Sequence, residues 1–515
     1  MPTFRHPHPP RASFDGGDLD CGSGLLLLIR KHIDPLAPGE LLEVVSRELS
    51  VGDDLPAWCR LTGNELVSHL VEGGVHSFLV AKGAFDVART AGAPPATPVA
   101  PVVTAGARAA SAPVAPDDET LPAPAPAPAV RPFSVMGIGS WPRPAWLLRA
   151  LHERLEGRLP EAEFEAAADD AVRLVVEAQR RAGVDLVTDG EQRRDNYASF
   201  VGARLDGCQL VPVTDLLPYV HDPAAFERQL RSLDVPAEKV RHPAVVGRIV
   251  RRRPVAAHEL AFLRRVTALP AKVALPGPYL LTRTMWMECV SDNAYTDREA
   301  LAADVVRALR AEVAALLAGG AALVQVDEPV LSEVVFGRPS KERTFMCGAL
   351  GEKRAPAEEL AFAETLLAAT LAGFPRERLA LHMCRGNWTP DEAAALSGDY
   401  RPLLGVLSRV PVGTLMLELC TKRAGDVEVL ADLPRDRRVG VGVLDQKSPR
   451  VETRDEVVER AERAVRVLGA DRVLLVPDCG FATFADNPIA SAAVAEGKLA
   501  AASAAAAVLR ARHGV

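Results

Sequence analysis

Aromatic residues make up only 5% of this 515-residue chain, and cysteines number 8. The cysteines fall at positions 21, 59, 208, 289, 347, 384, 420 and 479. That scatter lacks the dense spacing of a secreted disulfide framework, so free thiols in a reducing compartment are expected. Positive charge is also short, with 60 Lys and Arg against 67 Asp and Glu and a net charge of -7. Nucleic-acid partners need clustered Lys and Arg to neutralise phosphates, and this balance argues against one. The one basic run, Arg251 to Arg253, reads as a solvated helix face. Long apolar runs are missing as well: Leu25 to Ile29 is too short to span a bilayer, and MPTFRHPHPPRASFDGG holds no apolar core of signal-peptide length. The expectation is a cytoplasmic protein with no membrane partner.

What is present is a hydrophobic content of 48% with 25% charged residues, enough for two or more folded units in a chain of this length. Residues 91–130, including PPATPVAPVV and LPAPAPAPAV, are nearly all Ala, Pro, Val and Gly. They read as a linker, which at about 3.1 Å per residue reaches on the order of 120 Å if polyproline-like throughout. The expected division is a disordered stretch at 1–13, a small domain at 14–90, the linker, and a large domain at 131–515.

In the large domain eight short apolar runs alternate with segments of helical periodicity. They are FSVMGIGS (133–140), VDLVTDGE (184–191), KVALPGP (272–278), ALVQVDEP (322–329), LALHMCRG (379–386), TLMLELC (414–420), RVGVGVLD (438–445) and RVLLVPDCG (472–480). Eight strand-helix repeats predict a (β/α)8 TIM barrel. A doubly wound sheet needs a similar pattern; the polar residues ending nearly every run favour the barrel, which gathers all its strand ends at one mouth. Residues 200–270 exceed one crossover and read as a helical insertion or lid.

Zinc-binding residue types recur at three of these ends. His382 and Cys384 stand two apart on one run, which places both on one side of a strand; Glu418 and Cys479 come from two others. Zinc takes imidazole, thiolate and carboxylate in a tetrahedral shell, and a position open to substrate makes the site catalytic. Such a cation deprotonates an entering thiol. Cys420, two residues after Glu418, is a competing ligand. Taken singly, each of these residues has an ordinary reading as a buried cysteine or a core histidine; their recurrence at strand ends favours a metal.

At HMC, the Glu-bearing run and PDCG the chain resembles the catalytic domain of the cobalamin-independent methionine synthase family, over residues 133–486. The resemblance implies Zn2+ on His382, Cys384, Glu418 and Cys479, homocysteine as methyl acceptor and a methyltetrahydrofolate as donor. It further implies that Ile138, Gly139 and Ser140 meet the amino-acid part of homocysteine, that Glu191 and Asp327 hold its ammonium, and that Glu333 and Trp286 face the pterin. The chain also departs from the pattern. Full-length members have two barrels, and the barrel missing here helps bind the folate tail, so a methylated corrinoid or another alkyl donor stays open. The family's Asp-x-His-Ser-Pro is Asp445 to Pro449 here, with Lys447 where the proton-transferring His stands. Lys447 serves that role only with a depressed pKa, or else holds an anionic group.

Residues 14–83 resemble the TusA family of small sulfur carriers, in the order strand, helix, strand, helix, strand. The resemblance places Cys21 at the persulfide-carrying position before a helix, whose N-terminus lowers a thiol pKa, and implies a sulfurtransferase partner. The family's Cys-Pro-x-Pro is Cys21-Gly22-Ser23-Gly24 here. Cys59 reads as core packing. Three functions follow: a zinc-dependent methyltransferase making methionine; a zinc-dependent alkyl transfer to or from another thiol, such as a thiol or persulfide on the Cys21 domain; and a sulfur-carrier or interaction protein with an inactive barrel.

Overall fold

The computed structural model describes residues 4–17, 25–49, 51–86, 121–212, 241–286, 294–337, 354–387 and 395–515. The N-terminal unit comprises β1 (Ala12–Asp15), α1 (Leu26–Ile33), β2 (Leu41–Ser46), α2 (Val51–Thr62), β3 (Glu65–Glu72) and β4 (Val75–Ala81). Its sheet order is β1-β2-β4-β3. Leu26, Ile29 and Ile33 on α1 and Leu55, Trp58 and Cys59 on α2 recur at helical spacing. They bury a core against Phe14, Leu42, Val44, Phe78 and Val80. Cys59 therefore packs in the core, where burial pushes its thiol up to about 12.

Two expectations are corrected here. The unit has four strands rather than the three of the expected order, because β3 is a strand of its own that pairs with β4. Nor are residues 4–13 loose. The His6 ring nitrogens lie 2.9 Å from the hydroxyls of Ser68 and Ser77, the Arg11 amide donates to the Leu41 carbonyl, and β1 begins at Ala12. Cys21 lies outside the described residues.

The larger unit continues with α3 (Ala145–Leu155), α4 (Glu161–Ala182), β5 (Asp206–Pro212), β6 (Arg241–Val250), α5 (Ala257–Val266), β7 (Lys272–Pro276), α6 (Pro278–Met285), α7 (Arg298–Ala318), β8 (Leu323–Asp327) and α8 (Val330–Phe336). It ends with α9 (Pro356–Leu371), β9 (Leu379–Met383), α10 (Leu404–Arg409), β10 (Thr414–Leu417), β11 (Arg438–Leu444), α11 (Arg454–Leu468), β12 (Val473–Pro477) and α12 (Ala492–His513). Strands β7 to β12 form one six-stranded sheet in sequence order, every pair parallel. Crossover helices impose that direction and cover the sheet, which is why the strands read as continuous apolar runs.

Alternate residues divide between two cores. Leu379, Leu381, Leu415, Leu417, Val439 and Val441 pack in the large outer core, while Ala380, Met416, Leu474 and Val476 join Met136, Ile138, Leu186 and Leu323 in an inner one. Gly440 leaves room for that inner core, since a Cβ there would lie 2.2 Å from Met416 Sδ.

The first two of the eight apolar runs are not strands; each makes a single parallel bridge, Val135 to Leu475 and Val187 to Ala271. Backbone hydrogen bonds run from the Phe133 amide to the Val473 carbonyl, from the Asp185 amide to the Val135 carbonyl, and from the Lys272 amide to the Val187 carbonyl. Both segments thus lie between β12 and β7.

Three further expectations change. The described part of 200–270 is not chiefly helical: β5 and β6 form an antiparallel pair, with α5 after it. Arg251 to Arg253 follow β6 outside any helix, and Arg251 pairs with Glu312 and Arg252 with Asp206. Residues 121–130 are not a free linker. The Ala125 amide donates to the Leu317 carbonyl, Arg378 donates to the Ala125 carbonyl at 2.5 Å, Arg438 donates to the Val130 carbonyl at 2.9 Å, and Ala127 and Val130 pack on the inner core. This extended strap crosses the amino ends of the strands. One described helix, α12, is long and apolar enough to cross a membrane; here Ala495, Leu499, Ala502, Ala505, Ala506 and Leu509 pack into the outer core.

Candidate metal centre

The carboxyl ends of the parallel strands carry the site. His382 near the end of β9 and Cys384 just beyond it share the inward side, and Cys479 follows β12. Ligand atoms of these three buried residues lie within 4.8 Å of one another. Asp327 is the residue of β8 in register with His382, so their side chains meet, with Oδ1 2.9 Å from Nδ1. The other nitrogen, Nε2, is buried without a hydrogen-bond partner. A buried polar atom left bare beside two thiols fits a cation and is costly otherwise. A carboxylate on the far nitrogen is also the arrangement that orients a metal-binding imidazole.

The thiols are electrostatically unequal. Chiefly through the hydrogen bond from Cys479, and helped by His382 against burial, Cys384 is lowered to about 6. The same bond and burial raise Cys479. For His382, burial opposes the charged form, but the bond and charge of Asp327 raise its pKa.

Glu418 is fully buried yet outside the group of three. Its Oε1 accepts from Arg423 at 2.7 Å, and its Oε2 accepts from the Arg385 amide at 2.9 Å and from Asn387 Nδ2 at 2.5 Å. Cys420 also lies outside the group; burial raises its thiol strongly.

A pocket of about 570 Å³, counted to its open mouth, lies over the centre. Among its lining residues are Ile138, Ser140, Glu191, Asp327, His382, Cys384 and Cys479, so both sides of the expected site converge there. Glu191 has φ of 55°, unusual for a residue with a Cβ. The surroundings enforce it: Asp189 Oδ1 accepts from the Glu191 amide at 3.0 Å, and Arg143 donates to its carbonyl at 2.6 Å. Oε2 of Glu191 is buried without a partner. Burial, opposed by Arg194 and Arg143 and reinforced by Asp327 and Asp189, raises its carboxyl to about 7.

The remaining candidates stand apart from the pocket lining. Glu333, on α8, pairs at 3.1 Å with Arg283, and Trp286, ending α6, packs half-buried on the outer core. Lys447 is buried beyond β11, its amide donating to Asp445 Oδ1. Sequence reasoning missed the pocket residues Tyr197, Asn387, Thr483 and Phe484, and the buried Lys272, whose ammonium donates to the Ile138 carbonyl. Burial lowers Lys272 to about 7 against the charges of Asp327 and Glu191. Its only sequence signal is a cation opening an otherwise apolar strand.

Fold and site define a parallel α/β protein with a His-Cys-Cys centre at its strand ends. The chain belongs to the family of cobalamin-independent synthases, whose catalytic-domain model matches residues 133–503. It is 27% identical over 345 residues to a methionine synthase of Thermococcus kodakarensis, covering 67% of this chain and 85% of that one. A 5-methyltetrahydropteroyltriglutamate–homocysteine methyltransferase of Streptomyces griseus is 27% identical over 346 residues, but the match spans only 39% of that longer protein. Among solved structures, a B12-independent methionine synthase from Shewanella sp. W3-18-1 in complex with selenomethionine has a TM-score of 0.56 at 25% identity, covering 74% of this chain and 98% of that one.

Proposed function

We propose that this chain is a zinc-dependent thiol S-methyltransferase acting on homocysteine to give methionine, on a sheet closed by residues 133–140 and 184–191 into a (β/α)8 barrel. The observation that carries the reading is the buried trio of His382, Cys384 and Cys479 with a bare imidazole nitrogen, in a family whose members are named for methionine synthesis. Zinc suits this donor set and, when bound, lowers a coordinated thiol's pKa to give a nucleophile at neutral pH.

The chain's own residues supply the rest. His382, Cys384 and Cys479 hold the cation, with Glu418 as the fourth ligand, already steered by Arg423 and Asn387. Glu191 offers an unpartnered buried oxygen to the substrate ammonium, and Asp327 stands across the same pocket. Charge-assisted hydrogen bonds to both fix the amino acid more firmly than neutral ones, while Ile138, Gly139 and Ser140 receive its carboxylate. The donor is a methyltetrahydropteroyltriglutamate, as in the Streptomyces relative's name, or a methylated corrinoid. Glu333 and Trp286 are assigned to its side, and Lys447 to proton transfer or to an anionic group of the donor.

A second reading makes the N-terminal unit a TusA-like carrier, loaded on Cys21 by a sulfurtransferase, that presents a thiol or persulfide to the barrel. Its own hydrophobic core, distinct from those of the larger unit, supports an independent domain. The ligand types kept at the site argue against an inactive barrel.

The test is a zinc-quantified assay of the purified chain with homocysteine and a panel of methyl donors, following product by mass. Cys384→Ser and Cys479→Ser should lose both metal and activity. Absence of zinc from the folded wild type, or full activity in the serine variants, would sink the mechanism.

A further inference from the structure

Lys272 opens β7 and is 1% exposed. Among the described residues its ammonium contacts no carboxylate; Nζ donates to the Ile138 carbonyl at 2.5 Å and to Gln325 Oε1 at 2.6 Å. Gln325 Nε2 donates to Asp327 Oδ1 at 2.6 Å, and that oxygen meets His382 Nδ1 at 2.9 Å. Register explains the alignment: Gln325 pairs with Ala274, two residues after Lys272, and Asp327 pairs with His382.

The polarity of this chain of bonds is dictated from its two ends. Ionised Asp327 only accepts, so Gln325 must turn its NH2 towards Asp327 and its oxygen towards Lys272, whose Nζ donates to it. Oδ1 then accepts from Gln325, and the proton in its contact with His382 belongs to Nδ1. A neutral imidazole has one N–H. Nε2 is therefore left bare, as a metal ligand must be.

We propose that Lys272 is a positioning residue for the metal centre: by fixing the Gln325 amide it holds Asp327 Oδ1 on Nδ1 of His382, the contact that keeps the imidazole proton there, and through the Ile138 carbonyl it ties that setting to the substrate-facing 138–140 segment. The inference rests on the zinc site proposed above. A space-filling role does not account for the lysine, because burying a charge is costly and an apolar side chain of similar volume is often neutral or stabilising in its place. Without it, Gln325 is free to turn over, and Asp327 loses the amide donor that holds its Oδ1 against His382 Nδ1.

The test uses the full-length protein, stripped of metal and titrated with Zn2+ against a chromophoric chelator, with thermal melting of the metal-free forms alongside. Lys272→Met should keep or raise the melting temperature yet weaken zinc binding about 10-fold, the low end of the effect of removing the partner bonded to a ligating histidine, because Lys272 acts on that partner, Asp327, through Gln325. Gln325→Leu, which interrupts the same chain while keeping Lys272, should weaken binding similarly and serves if Lys272→Met does not fold. The double variant should be no weaker than the weaker single, because both changes break one chain. Zinc affinity within twofold of wild type in a folded variant overturns this proposal alone. A folded wild type that takes up no zinc overturns it together with the zinc reading.

Discussion

A Cβ on Gly139 would lie 2.2 Å from Oε1 of Glu191, so the first apolar run and the strained turn that ends the second fit together only because residue 139 has no side chain. Gly139→Ala must push the Glu191 carboxylate from its place or shift the backbone, at about 1–3 kcal/mol of overpacking. If Glu191 holds the substrate ammonium, losing one charge-assisted bond of about 1.5–3 kcal/mol should raise KM for homocysteine about 10- to 100-fold. Zinc content should stay at wild-type level, since the change lies away from the ligand trio. Steady-state kinetics with metal analysis of the same preparation checks both halves.

The raised carboxyl of Glu191, at about 7 mainly through burial, gives a pH dependence of definite sign. A carboxyl with a raised pKa is neutral below that value and ionised above it, and the ammonium pairs with the ionised form. In the zinc-loaded enzyme the cation favours the ionised carboxyl and lowers that value, so kcat/KM for homocysteine should fall as pH drops below about 7, approaching tenfold per unit. Glu191→Gln should be lower throughout and lack that limb. A limb that persists unchanged in Glu191→Gln would assign it to another group.

The sequence made some of this legible and hid the rest for physical reasons. His382 and Cys384 could be paired because a strand's side chains repeat every two residues, and six of the eight predicted strands are present for the same reason. Lys272 and Gln325 could not be connected to them: their relation depends on the register of β7, β8 and β9, which no local pattern encodes. The strap was hidden because LPAPAPAPAV has one composition whether free or docked. What docks it are guanidinium groups far along the chain, on Arg378 and Arg438. Residues 133–140 have the pattern of a full strand because they are apolar and central, yet they make one bridge only.

Arg378 ties the strap to the large domain, donating to the Ala125 carbonyl of the strap and to the Leu317 and Ala321 carbonyls of the domain itself. Arg378→Ala removes these bonds at once. At about 0.5–1.5 kcal/mol net each, it should lower stability by about 2–4 kcal/mol, read from urea melts. Hydrogen exchange should rise in residues 121–130. Activity at saturating substrate should change little, because Arg378 immediately precedes β9 and the metal ligands lie at the strand's other end. A large loss of kcat with unchanged stability would contradict this placement.

The strap also decides where the two units can be separated. A chain beginning at residue 121 keeps the contacts of Ala125, Ala127 and Val130, whereas one beginning at residue 131 loses them and should melt at a lower temperature. The longer of these truncated proteins is the proper test of the N-terminal unit. If free homocysteine is the acceptor, it should retain wild-type zinc content and kcat, because every ligand and pocket residue lies after residue 131. If instead Cys21 presents a protein-bound thiol or persulfide, the truncation should abolish turnover with the natural acceptor, and Cys21→Ser in the full-length chain should do the same while leaving the metal in place. Agreement between the truncation and Cys21→Ser therefore assigns the acceptor, whereas loss of activity in the truncation alone points to a structural contribution from the N-terminal unit.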